Sequence, residues 1–221
     1  MSRAVIVAHG QPSDPLPAAA ALEALAGRVA GLLPGWEVGT ATLAEPGALA
    51  RAAGRGPGLI YPLFMAAGWF TQTAIPARLE DAGVAGWQVL APFGCDPAVH
   101  GLAVDIVRAA APAAVLLAAH GSFKSPAPAA VAGEVAARIA AETGLRCAAA
   151  FIDQSPRIAE ARGFPAGAVC LPFFAMSGGH VETDVPAALA EAGFPGGLLP
   201  ALGLHPRVPG LIAAALRRAV Q

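Results

Sequence analysis

The sequence predicts an α/β fold of two similar, doubly wound, parallel-sheet lobes with the active site in the cleft between them. Three observations carry that expectation. The first is an internal repeat, found when the chain is shifted by about half its length. Val5–Gly10 returns as Val115–Gly121, with His9 111 residues before His120, and Arg28 lies 110 before Arg138. Tyr61-Pro62-Leu63-Phe64, Gly68 and Ile75-Pro76 return 110 residues on as Leu171-Pro172-Phe173-Phe174, Gly178 and Val185-Pro186. Gly94, Pro97, Val99, Gly101 and Leu102 return 109 on as Gly203, Pro206, Val208, Gly210 and Leu211. The second observation is that the short apolar runs are continuous rather than alternating, which marks strands covered on both faces. The third is that these runs alternate with longer amphipathic ones, the pattern of parallel strands joined by crossover helices. The halves meet near Pro112, giving domains 1–111 and 112–221.

In order, the first half opens with a strand over 3–8, whose Val5-Ile6-Val7-Ala8 run ends at His9-Gly10. An Ala- and Leu-rich run predicts a helix over 15–33, followed by a strand at 36–42. A short helix over 46–53 has Pro46 suited to its first turn. The Leu59-Ile60-Tyr61 run predicts a strand at 57–62, and a helix over 71–82 stops at Gly83. A strand at 87–91 and a helix over 97–110 close the half. The second half repeats this with strands at 113–119, 145–151, 167–172 and 196–201. Its helices are expected at 126–142, 155–162, 182–192 and 207–220, with Pro156 in a first turn and Gly193 as a stop.

Composition excludes several classes of function. The 221 residues are 56% hydrophobic and 13% charged, enough to bury a sizeable core and too apolar for a disordered chain. With 14 Lys and Arg against 15 Asp and Glu, no field of the whole molecule attracts nucleic acid or anionic lipid. The mean hydropathy of +0.58 reflects Ala, Val and Leu, and polar residues, Gly or Pro interrupt every apolar run before the roughly 18 to 20 residues a membrane span needs. Cys95, Cys147 and Cys170 are odd in number and lack CxxC spacing, as in a reducing compartment. The start of the chain has no secretory apolar region. These features predict a cytoplasmic protein, monomer or homodimer, with no nucleic-acid or membrane partner.

In open parallel sheets, ligands bind beyond the carboxyl ends of the strands. His9 and His120 stand at two such ends. His180 follows Phe173-Phe174 behind Ser177-Gly178-Gly179, where a loop enters a helix, and Asp153 follows the strand ending at Phe151. His120, Asp153 and His180 therefore come from three strand ends of one lobe. Two imidazoles and a carboxylate suit a divalent transition metal with positions left open for substrate. Glu182 and Asp184 add carboxylates beside His180, where charge at a helix N-terminus is the competing explanation. Comparing halves places Phe70 opposite His180, Gln72 opposite Glu182, Ala74 opposite Asp184 and Leu43 opposite Asp153. The second lobe is thus predicted to handle metal, and the first to offer the flat apolar surface of Trp69 and Phe70, with His9 dispensable for catalysis. Lys124, the only lysine, sits with Ser122 in the loop after His120 and is a candidate for an anionic substrate group.

These residues resemble a family. The His-Gly strand ends, the Pro-Phe-Phe-x5-His-Val-x2-Asp-Val-Pro run from Pro172 to Pro186, and the Leu-Gly-Leu-His-Pro run from Leu202 to Pro206 are similar to those of CbiX-type sirohydrochlorin cobaltochelatases and ferrochelatases, the class II chelatases. The resemblance spans the chain as two chelatase-like halves. It implies ATP-independent insertion of Co2+ or Fe2+ into sirohydrochlorin or a related tetrapyrrole, toward cobalamin or siroheme, with His120 and His180 catalytic and at the metal. Asp153 falls where related cobaltochelatases carry a metal-binding Glu. Long bacterial members resemble a histidine pair in the first lobe, whereas here the second lobe holds it. No tightly bound cofactor is implied, the metal being substrate, and the chain has no GxxxxGK[ST] phosphate loop for ATP. Histidine suits the reaction, because it ligates metals and exchanges protons near neutral pH. The competing expectation is a non-catalytic metal or tetrapyrrole carrier, which would stop at stoichiometric binding instead of turning over.

Overall fold

A computed structural model describes residues 1–11, 15–54 and 56–220. In chain order its elements are β1 (Ser2–Ala8), α1 (Pro15–Gly31), β2 (Trp36–Thr42), α2 (Ala48–Ala53), β3 (Gly58–Pro62), α3 (Ile75–Asp81), β4 (Trp87–Val89) and α4 (Pro97–Ala110). The second half follows with β5 (Val115–Ala119), α5 (Ala127–Thr143), β6 (Cys147–Phe151), β7 (Val169–Pro172), α6 (Val185–Ala192), β8 (Gly197–Leu198) and α7 (Val208–Arg218). Two four-stranded parallel sheets result, ordered β2-β1-β3-β4 and β6-β5-β7-β8. In each sheet the chain crosses to one side of the first strand and then to the other, so the C-terminal ends of β1 and β5 are the places where such sheets open a crevice.

Both faces of each sheet are covered, as the unbroken apolar runs require. In the first sheet Val5, Val7 and Ile60 join Leu43, Leu49, Ile75 and Leu79 in one cluster, while the alternate residues Ile6 and Tyr61 are equally buried. In the second, Leu116, Ala118 and Cys170 pack with Ile158, Val185 and Leu189, and the alternate Val115, Leu117 and Leu171 are also sealed from solvent.

The compact units cut across the repeat. One comprises Met1–Phe93 with Pro206–Gln221, the other Gly94–His205, whereas the repeat itself divides near Pro112. The final helix of each half has changed places: α4 packs on α5, and α7 packs on α1 and β3. Polar contacts fasten the first of these pairings. Arg108 donates to the Glu142 main-chain carbonyl at 3.0 Å, and Arg138 donates both to the Glu142 carboxylate at 2.7 Å and to the Pro97 carbonyl at 2.7 Å. The Arg138 guanidinium holds the Glu142 carboxyl below the usual carboxylate range, with Arg108 adding to the effect.

Other departures from the sequence reading have local causes. The helix expected over 155–162 is a single tight turn, Ile158–Glu160. Its upstream peptides are engaged elsewhere, Phe151 N–H donating to the Pro156 carbonyl at 2.9 Å. Pro46 and Pro156 therefore precede their turns and do not occupy the first helical position. The helix expected over 71–82 is a wide π turn, Phe70–Ala74, continued by α3, and α6 is entered through the matching turn His180–Asp184. Gly83 and Gly193 do stop α3 and α6, each through paired reverse hydrogen bonds to the last helical turn. No helix among the described residues is long and apolar enough to cross a membrane.

Candidate metal centre

The unit Gly94–His205 assembles its polar side chains from the ends of three adjacent strands. β5 delivers His120, and the chain then turns through Gly121 at φ +75°, where a Cβ would lie 2.7 Å from the Gln154 side chain and 2.9 Å from Phe151 Cβ. Glycine answers both demands. The β5–β6 ladder continues past the strand ends, with Asp153 N–H donating to the His120 carbonyl at 2.9 Å, so Asp153 is placed beside His120 by backbone register. β7 ends at Pro172, and a loop then carries the chain to His180, the first residue of the π turn. Gly203 packs so closely on this loop that a Cβ there would lie 1.9 Å from the Ala175 carbonyl oxygen.

His120 Nε2 and His180 Nε2 face each other at 3.1 Å, with ring centroids 4.5 Å apart and planes nearly perpendicular. Behind each ring is an acceptor. His180 Nδ1 lies 2.6 Å from Asp184 Oδ2, and His120 Nδ1 lies 3.1 Å from the Gly121 carbonyl and 3.3 Å from Asp153 Oδ2. A carbonyl and a carboxylate can only accept, so both rings carry a proton on Nδ1 and turn the Nε2 lone pair forward. Two lone pairs meeting at this distance are satisfied by a proton or a metal ion between them. With metal–nitrogen bonds of about 2.05 Å, nitrogens 3.1 Å apart subtend about 98° at the ion, between the octahedral and tetrahedral angles. The side chains of His120 and His180 are 43% and 52% exposed, so the remaining positions at such an ion open to solvent.

Asp153 approaches the Nδ1 side of His120, away from the facing Nε2 atoms, and no group of three or more His, Cys, Asp or Glu among the described residues is disposed to hold an ion. The Asp153 carboxylate is set to orient His120. Sequence reasoning left Asp184 undecided, yet its spacing of four from His180 on a helical segment was the signal that the two could touch. Glu182 is drawn off by Ser177, whose Oγ donates to it at 2.6 Å. Ser122 builds the loop: its N–H donates to Gln154 Oε1 at 2.8 Å, and its Oγ accepts from Lys124 N–H at 3.1 Å. The Lys124 side chain and Phe123 are exposed beside it.

The other unit repeats the frame with different side chains. His9 lies against Phe70, ring centroids 4.6 Å apart, and Phe70 also stacks on Phe64. Phe70 is half-buried, while Trp69 is 63% exposed. Here Ala44 N–H donates to the His9 carbonyl at 2.8 Å, so the counterpart of Asp153 is Ala44, one residue beyond the Leu43 that constant spacing indicates. Leu43 is instead a core residue.

Comparison with known proteins agrees with this geometry. A model of the CbiX family matches residues 114–219. A solved structure of CbiX, described as the terminal enzyme for biosynthesis of siroheme in denitrifying bacteria, is 46% identical, covers 99% of this chain and 100% of its own, and superposes with a TM-score of 0.92. The chain belongs to the CbiX family. More distant structures share the fold of this CbiX-family chain. SirB from Bacillus subtilis with Fe3+ is 14% identical with a TM-score of 0.76, and SirB from Bacillus subtilis subspecies spizizenii in complex with cobalt is 17% identical with a TM-score of 0.72. Each covers 99% of this chain and 95% of its own. No match was found among curated protein sequences.

Proposed function

We propose that this CbiX-family chain is a metal chelatase that inserts Co2+ or Fe2+ into sirohydrochlorin or a related tetrapyrrole, in siroheme or cobalamin synthesis, and that His120 and His180 receive the ion. The observation that carries the assignment of residues is the pair of Nε2 lone pairs facing at 3.1 Å at a strand-end crevice, each ring fixed from behind by an acceptor. Relationship to an enzyme of siroheme biosynthesis supplies the substrate class.

The chemistry follows from what the pair can and cannot hold. Two imidazoles displace part of the ion's water shell but leave it undercoordinated, so four macrocycle nitrogens compete successfully for it. Insertion breaks two pyrrole N–H bonds and releases two protons for each ion taken up. As the ion leaves, the two Nε2 lone pairs that held it become free, placing proton acceptors where those protons emerge. No nucleotide is consumed in this exchange. Lys124, exposed beside the site, is the cation we assign to a macrocycle carboxylate, and Ser122 holds the main chain that presents it.

Anaerobic incubation with sirohydrochlorin and Co2+ or Fe2+, followed by absorbance, tests the assignment. Wild type should form metallated product in excess over protein, which separates an enzyme from a carrier. Folded His120→Ala and His180→Ala proteins should each lose most of the rate, and activity within about threefold of wild type in either would overturn it.

A further inference from the structure

We infer that Asp184 is the positioning residue of this site, fixing the proton of His180 on Nδ1 and aiming Nε2 at His120. The inference rests on the reading of His120 and His180 as the metal-accepting pair and deepens it. Three observations lead to it. The contact between His180 Nδ1 and Asp184 Oδ2 is 2.6 Å, the shortest acceptor distance at either ring, and among the described residues no other acceptor lies at that nitrogen. His120, by contrast, has two acceptors at Nδ1, one of them a main-chain carbonyl that no side-chain substitution removes. The loss of a single carboxylate would therefore leave the His120 ring held and the His180 ring free to turn or to shift its proton to Nε2. A proton on Nε2 occupies the electron pair the ion needs.

The other unit makes the same turn without this contact. Phe70–Ala74 forms the same π turn with Ala74 at the Asp184 position, and both turns are tied at the start in the same way. Gln72 N–H donates to the Gly68 carbonyl at 2.9 Å, as Glu182 N–H does to Gly178. The backbone thus takes this shape without the carboxylate, which leaves orientation of His180 as the effect specific to Asp184. Glu182 does not substitute for it, being engaged by Ser177.

The test is Co2+ binding by the full chain, read by competition with a chromophoric chelator and by the visible bands of bound Co2+, in wild type, His180→Ala, Asp184→Ala and Asp184→Asn. Carboxylates behind a ligating histidine typically influence affinity by about 10- to 100-fold, and Asp184→Ala should weaken Co2+ by that order while its melting temperature stays near wild type. Asp184→Asn keeps an oxygen that accepts from Nδ1–H and should bind within about fivefold of wild type with unchanged bands. His180→Ala is the reference: affinity unchanged in that protein overturns the histidine-pair reading and this inference with it. If His180→Ala weakens binding but Asp184→Ala stays within twofold, the pair stands and the role of Asp184 falls. Equal losses in Asp184→Ala and Asp184→Asn would show that charge, not orientation, is what Asp184 supplies, and would also overturn the inference.

Discussion

The repeat permits a gain-of-function experiment that rests on the proposed histidine pair: Phe70→His with Ala74→Asp should add a metal site to the unit that contains His9. The centroid separation already matches, at 4.6 Å for His9 and Phe70 against 4.5 Å for His120 and His180. Both partners begin the same π turn, and the new Asp would stand four residues on, as Asp184 does. The interplanar angle differs, 41° against 89°, but rotation about the ring-bearing bond of histidine is soft and the new carboxylate would set it. Removing a half-buried phenyl ring that packs on Phe64 costs about 1 to 1.5 kcal/mol of hydrophobic stabilisation, which a fold of ordinary stability tolerates. Isothermal titration with Co2+ should show stoichiometry rising from one to two per chain, and adding His9→Ala should return it to one. Phe70→His alone should give a second site weaker by about 10-fold or more, because its ring lacks the orienting acceptor. A folded double variant that still binds one ion would refute the claim that a facing imidazole pair with a carboxylate behind it is sufficient.

Three other outcomes are expected. Gly203→Ala should destabilise the protein by about 2 kcal/mol or more in denaturant titration and slow metal insertion, since its Cβ would meet the Ala175 carbonyl at 1.9 Å on the loop leading to His180. Burial pushes the thiols of Cys147 and Cys170 each up to about 12, so the unfolded chain releases these protons first and stability should fall from about pH 9 towards 12, each thiol contributing up to about 1.4 kcal/mol per pH unit; Cys170→Ala should reduce that slope, Cys147 supplying the rest, and native Cys170 should resist alkylation at pH 8. Lys124→Ala should weaken sirohydrochlorin binding several-fold and reduce its dependence on salt while leaving Co2+ affinity intact, measured by titration at two ionic strengths.

What was legible in the sequence was whatever depends on local pattern and covalent spacing. Continuous apolar runs gave the strands, and the recurrence of Pro62 at Pro172 placed Phe70 opposite His180, which the two π turns bear out. Constant spacing failed where the halves differ by an insertion: the ladder pairs Ala44 with His9 as it pairs Asp153 with His120, and only backbone hydrogen bonds reveal that shift. The exchange of α4 and α7 was equally invisible, because an amphipathic helix shows which side it buries and not which sheet it buries against. At the site, sequence named the histidines but could not decide between the two nitrogens of a ring. The structure sets Asp153, an expected ligand, 3.3 Å from His120 Nδ1.

The frame shared by the two units separates what the fold requires from what the chemistry requires. A histidine followed by a left-handed glycine ends the first strand of both sheets, and a π turn enters the same helix in both, so neither feature by itself marks a metal site. What differs is a set of three side chains: His180, Asp184 and Asp153 where the other unit has Phe70, Ala74 and Ala44. In that other unit the place of the second imidazole is taken by a ring without lone pairs, which satisfies its neighbour His9 by packing and leaves no pair of donors for an ion to bridge. Because the backbone is held constant by the repeat, these three substitutions act as an internal control. Under the proposed function they assign the capacity for metal to the facing nitrogens and the acceptors behind them, not to the strand ends that both units possess.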